Sequence, residues 1–329
     1  MSWKGDLLKA GIDSNGVDVE VFKGSLTAGN IIGRQGKTIY VDPTSGDDDN
    51  DGRSPAQAVS TIAEGEDRLT AGQNDTLVYL AGTTSGSIVD TLTWDKDYTH
   101  FIGMCAPTFM AQRARIFNSG NTTASTPLLN VTAKGCLFKD LYLFQGSAVA
   151  TVGCVQVSGG RNAFVNVHFA GMGHATNSAG ANAYSLKLNG AEECLFKNCT
   201  IGIDTIKRTG DNHPLWIDGT VTRCKFDECM FVSWAENTGY SLCTVQDTTA
   251  IDRFIQFHNC TYYNFWTNWG NTLAEAFAVP AGMQTNYLMF TGQQNLIAID
   301  ELESNDRSGT YVTGPAAAAA SGIGVTPTT

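Results

Sequence analysis

The sequence predicts an all-β chain wound as a single-stranded right-handed parallel β-helix, a solenoid, with an N-terminal arm and cap and an extended C-terminal tail. Three observations predict it. One strand motif recurs five times between residues 128 and 265, and its aromatic position (138, 164, 196, 226, 257) steps by 26, 32, 30 and 31 residues. The apolar positions of each copy keep the same register to that aromatic. Charged residues make up only 16% of the chain, against roughly a quarter in ordinary globular proteins. Gly, Asn, Thr and Ser take the polar role instead, which suits strands and tight turns rather than exposed helices.

The elements follow in chain order. Residues 1–36 alternate short apolar pieces (VDVEVF, NIIG) with glycines and are expected to form an arm or small cap. Residues 37–303 are expected to form the β-helix. Its first strand, Lys37-Thr-Ile-Tyr-Val-Asp-Pro, is ended by proline. An acidic glycine-rich loop follows, then a short amphipathic capping helix near 55–70 with Ala58, Ile62 and Leu69 inward. Ser54 and Pro55 suit its N-cap and first helical position. Strands are predicted in 75–82 and 94–105. Residues 271–303 are expected to close the last coil. The stretch 304–329, low in charge and rich in Ala, Gly and Thr, suits a disordered tail or an extended one ordered against a neighbour.

The repeat itself reads CLFKDLYLF from Cys136, NAFVNVHFA from Asn162, CLFKNCTIG from Cys194, CKFDECMFV from Cys224 and IQFHNCTYY from Ile255. Period-2 alternation puts Cys136 and Phe138 on one strand face. The step of three from Phe138 to Leu141 needs a bend, and Asp140, Asn166, Asn198, Glu228 and Asn259 hold the bend position. A second short strand then turns Leu141 and Leu143 inward. Further strands are predicted in 127–133, 153–159, 184–190, 214–220 and 240–247. A coil of three short strands is too small to bury its own core, so coils must stack and share one. An antiparallel sandwich also has many short strands, but gives no reason for inward columns at near-constant spacing.

Nine cysteines stand at 105, 136, 154, 194, 199, 224, 229, 243 and 260, with no CxxC pair. The reading is of buried thiols as rungs of the core, in a chain folded in a reducing compartment. A zinc cluster would need ligands converging at short spacing; here Cys194 and Cys199 would fall on different strands of one coil. The net charge of −11 disfavours direct binding of nucleic acid. The N-terminus has no apolar run after its lysines, so no secretory signal is expected. No run of 18 apolar residues is present, so no membrane contact is expected.

The segment YVDPTSGDDDNDGRSPAQAVSTIAEGEDRLTAGQNDTLVYLAG, residues 40–82, resembles a common opening of pectate-lyase-like β-helices: a strand reading YVDP, a G-D-D-N-D-G loop, a helix capping the first coil, and a strand ending in Gly. The resemblance extends over about 39–270. It implies the fold and leaves the activity open, because this superfold hosts lyases, hydrolases and non-catalytic viral proteins, including phage virion proteins.

A lyase of this kind would need a base beside a sugar carboxylate, and a hydrolase two carboxylates at a set separation. The NTD and DD patterns of polygalacturonases are missing from the repeat region. Asp204 and Asp218, facing a groove with His213, are the catalytic candidates, and no catalytic set is expected. The five histidines are isolated, and His168 and His258 are expected at turn or outward positions. Tyr263, Phe265, Trp266 and Trp269 form an aromatic cluster that reads as an interface, an end cap or a glycan-stacking platform. No metal is expected, although Asp47, Asp49 and Asp51 have the hard oxygen donors Ca2+ takes; a solvated acidic turn is the plainer reading.

The expectation for the whole chain is a non-enzymatic bacteriophage virion structural protein. A capsid (head) decoration or stabilising protein, folded in the host cytoplasm and held on the capsid surface, fits best. Its expected partners are copies of itself, as a homotrimer, and the major capsid protein or other virion proteins, reached through the arm and tail. The alternative is a tailspike-type polysaccharide depolymerase or glycan-binding adhesin.

Overall fold

The computed structural model describes residues 36–118, 126–150, 153–265, 272–283, 287–303 and 310–312. The strands form three parallel sheets wound as a right-handed solenoid. The first sheet stacks Thr38–Val41, Thr76–Leu80, His100–Met104, Leu137–Lys139, Ala163–Val165, Leu195–Lys197, Cys224–Asp227, Phe254–His258, Tyr287–Thr291 and Thr310–Val312. The second stacks Gly86–Ile88, Arg115–Asn118, Tyr142–Phe144, His168–Ala170, Thr200–Arg208, Met230–Ala235, Thr261–Asn264 and Asn295–Ile297. The third stacks Leu92–Trp94, Leu129–Val131, Gly153–Val157, Tyr184–Asn189, His213–Asp218, Cys243–Val245, Leu273–Ala278 and Ile299–Glu303. Each coil visits the sheets in that order, so every strand pairs with its equivalent one coil away.

The bend between the first and second sheets is one residue in the left-handed region. Asp140, Asn166, Asn198, Glu228 and Asn259 have φ of 54°, 52°, 52°, 55° and 51°. This conformation explains the step of three in the motif: the residue points neither in nor out, and the inward alternation restarts beyond it. Its amide still serves the stack, since Asp140, Asn166, Asn198 and Glu228 donate to Val165, Lys197, Asp227 and His258 carbonyls of the next coil. Asn and Asp tolerate this region better than most residues. A second left-handed column, Arg161, Glu193 and Arg223, turns the chain from the third sheet back to the first.

The aromatic column is a continuous stack. Phe138, Phe164, Phe196, Phe226 and Phe257 follow one another at 4.8, 4.8, 4.6 and 5.0 Å between centroids. Phe290 extends the stack at 5.5 Å. All nine cysteines are free thiols, eight of them buried and Cys105 partly so. Cys199, Cys229 and Cys260 each point an S–H at a carbonyl of the preceding coil, Phe164, Phe196 and Phe226. Burial pushes the Cys229, Cys243 and Cys260 thiols far above their ordinary range, which makes them poor nucleophiles.

The capping helix is shorter than the sequence predicts and comes in two pieces. Pro55–Gln57 is a single 3-10 turn with Pro at its start, and Ile62–Asp67 is an α-helix capped by the Thr61 side chain. Between them Val59 forms a parallel bridge with Val41, so residues 58–59 are held extended by the first strand. The inward set is as predicted: Ala58, Ile62 and Leu69 are buried. His168 departs from its expected outward exposure. It does face out of the second sheet, but it is only 3% exposed, because the chain between the strands ending at Met104 and starting at Arg115 folds down over it.

Candidate functional site

The third-sheet strands Tyr184–Asn189 and His213–Asp218 alternate a buried aliphatic with an outward residue over their central positions. Leu186, Leu188, Leu215 and Ile217 are buried, so Lys187 and Trp216 project outward. Register aligns Thr93, Asn130, Gln156, Lys187, Trp216 and Thr244 in one outward row along the solenoid. Trp216 is its centre. The Lys187 ammonium lies 3.8 Å from the indole centroid and 2.9 Å from the Asp218 carboxylate. The indole Nε1 donates to Gln246 at 2.8 Å. His213 and Tyr184 flank the ring at 4.8 and 5.8 Å.

These contacts define what the patch can do. The indole is held in one orientation by a cation over its face and a hydrogen bond at its edge. An indole presented outward in this way is suited to binding a ligand by stacking and hydrogen bonding. His213 shares a 2.9 Å hydrogen bond with Thr244 and is pushed down to about 4 by burial, reinforced by the Arg208 and Lys187 charges. It is therefore neutral near pH 7.

The two catalytic candidates are not brought together. Asp218 lies on the third sheet and is paired with Lys187. Asp204 lies on the second sheet. No hydrogen bond or ion pair joins them. His213 packs beside Trp216.

The aromatic cluster is divided. Phe265, 38% exposed, meets Trp234 edge-on at 5.6 Å. Tyr263 stands in register between Val232 and Ile297 on the second sheet. Trp266 and Trp269 lie outside the described residues.

The acidic loop is built from turns. Asp47 and Asp51 accept the backbone amides of Asp49 and Arg53. Asp48 is held below the usual carboxylate range: burial opposes this, but hydrogen bonds from Thr61 and Ser60 outweigh it. The Arg68 guanidinium donates to the Asp48 and Asn50 carbonyls. Among the described residues no group of three His, Cys, Asp or Glu side chains is arranged to hold a metal.

The Trp216 patch does not follow from the inward columns, because Lys187 and Trp216 stand on the outward half of the alternation. The signal was present in YSLKLNG and PLWIDGT, where Lys and Trp occupy the same outward position of successive coils.

Against known proteins, no family model matches the chain and no curated protein matches it. Solved structures do. A pectin methylesterase in complex with a hexasaccharide matches 88% of this chain and 92% of its own, at 14% identity and a TM-score of 0.52. The pectin methylesterase of Aspergillus niger covers 88% and 94% at 14% identity and a TM-score of 0.50. A rhamnogalacturonan lyase covers 84% and 87% at 12% identity and a TM-score of 0.50. At such identities the likeness is one of fold. The chain has the pectate-lyase-like parallel β-helix fold, shared with polysaccharide-processing enzymes.

Proposed function

We propose that this chain is a non-enzymatic structural protein of a phage particle, a capsid decoration or stabilising protein. The observation that carries the reading is how the outward carboxylates of the coils are used. Asp218 pairs with Lys187, Asp227 with Lys197, and Glu192 with Arg223, each on a neighbouring coil. Glu236 pairs with Lys207 in the same way. These contacts clamp coil to coil and leave these four carboxylates engaged, which favours a rigid scaffold over acid–base chemistry at them. Residues 1–36 and 304–329, the latter carrying the last strand of the first sheet at Thr310–Val312, supply the attachment to the capsid protein, and self-association as a trimer fits the same role. The test is imaging of purified particles with labelled protein. Label on the head, lost when 1–36 or 304–329 is deleted while the core stays folded, is the expected result. Label on the tail, or binding kept in both deletions, overturns it.

The Trp216 patch favours a second reading, a glycan-binding adhesin or tailspike-type depolymerase. Release of reducing ends from host capsular polysaccharide, abolished by Asp204→Asn or Asp218→Asn, would establish the depolymerase. Quenching of indole fluorescence by oligosaccharides, lost in Trp216→Ala without reducing-end release, would establish the adhesin.

A further inference from the structure

Residues 105–113 connect the first and second sheets in the coil that contains Met104 and Arg115, but they bond to coils well beyond it. The Ala111 amide donates to His168 Nδ1 at 3.1 Å. Gln112, buried, donates from Nε2 to the Asn166 carbonyl at 3.0 Å. The Phe109 carbonyl accepts from Thr200 Oγ1 at 3.2 Å. His168 lies two coils from the segment's own and Thr200 three. The segment is therefore a strap laid along the solenoid axis across the edge of the second sheet. Ala111 sits in it at φ 50°, a left-handed conformation that costs a non-glycine residue about 1–2 kcal/mol and that the strap's bonds must hold.

The histidine fixes the strap through one tautomer. Nδ1 accepts the Ala111 amide, so it has no proton, and Nε2 donates to the Gly202 carbonyl at 2.9 Å. A proton on Nδ1 would set one N–H against another. The surroundings give that proton no counter-charge. Tyr142 stacks on the imidazole at 4.8 Å, and the Arg115 guanidinium lies 5.3 Å from the centre of the Tyr142 ring. The other charged or titratable groups on the packed elements are Arg113 and Cys105 of the strap, Asp140 at the neighbouring bend, and Asp204, Lys207 and Arg208 on the strand of Gly202; Lys207 is paired with Glu236 and Arg208 is bonded to Asn212 and Ser241. Asp140 is engaged with Asn166, and no carboxylate bonds to the imidazole.

We propose that residues 105–113 form an acid-released strap, closed by neutral His168 and opened when that ring takes a proton. Burial holds His168 down to about 4, partly offset by its bond to Gly202. A strap-open ring would titrate near its ordinary 6.5. Linkage then requires the opening constant to rise by about two orders of magnitude between neutral pH and pH 3.5.

Cys105 reports the opening. It is the one partly exposed thiol of the nine, at the root of the strap, with its sulfur 3.5 Å from the Asp140 carbonyl. Labelling the full-length protein with 4,4′-dithiodipyridine, normalised to a small thiol at each pH, should show Cys105 reacting about 100-fold faster at pH 3.5 than at pH 7. The eight buried thiols should stay unlabelled, which marks the change as local. In His168→Gln the normalised rate, fast or slow, should not depend on pH. In Gln112→Ala it should be higher at every pH and keep the acid step. An unchanged wild-type rate overturns the proposal. So does an acid step surviving in His168→Gln, or labelling of the buried thiols together with Cys105, which would mean global unfolding.

Discussion

Phe164 and Phe196, 32 residues apart in sequence, stack with centroids 4.8 Å apart and planes 2° from parallel. Both are fully buried. The pair is one step of a ladder in which each ring touches its equivalents above and below. Phe196→Ala therefore removes two stacked contacts and leaves a cavity that neighbouring coils are too tightly registered to fill. A loss of about 3–5 kcal/mol is expected, read from urea unfolding midpoints. A loss below about 1 kcal/mol would mean that the coils do not share a packed core.

The bend column makes a prediction of opposite sign. Glu228 holds φ 55° in a position where three of the other four repeats use Asn. Its backbone amide, not its side chain, makes the bond to the next coil. Glu228→Asn should therefore raise stability by about 0.5–1 kcal/mol, since Asn visits the left-handed region more readily. Asn166→Ala should be destabilising, because it also removes the 2.6 Å bond to Asp140. A Glu228→Asn variant no more stable than wild type would refute the conformational explanation.

Glu275 faces Glu301 on the third sheet and is raised above its ordinary value by burial, then by repulsion from Glu301, Asp211 and Glu303. A carboxyl raised on folding favours its protonated form in the native state. Its contribution is thus fully present below the unfolded value near 4.5 and is lost as pH rises through the folded one. Glu275→Gln should raise the melting temperature at pH 8 and change it little at pH 4. A variant less stable than wild type at pH 8 would contradict this sign.

The thiol ladder predicts a redox-indifferent core. Reductant should leave the melting temperature unchanged, and native alkylation near neutral pH should modify Cys105 well before any other cysteine, as mass spectrometry of the peptides will show. A stability loss on reduction would require disulfides that the eight buried, free thiols exclude.

Much of the fold was legible because a solenoid repeats its inward positions. Phe138 to Phe257 and Leu141 to Cys260 could be aligned by spacing alone, and Asp140 and its equivalents stood out as the residues between two alternations. The helix boundaries were not legible, since nothing local to Ala58 and Val59 reveals that Val41 will hold them extended. Nor was the burial of His168, whose cover comes from residues 57 positions away in sequence.

The coil is written into the chain before it folds: its strands, its single-residue bend and the identity of its core column follow from alternation and repeat length. Which outward residues meet depends on how the coils stack. Lys187 reaches Trp216 and Asp218 because adjacent coils are in register, while Asp204 and Asp218, close in sequence, are separated because the chain changes sheets between them. Outward side chains have no periodic constraint of their own, so their partners are fixed only when the coils stack.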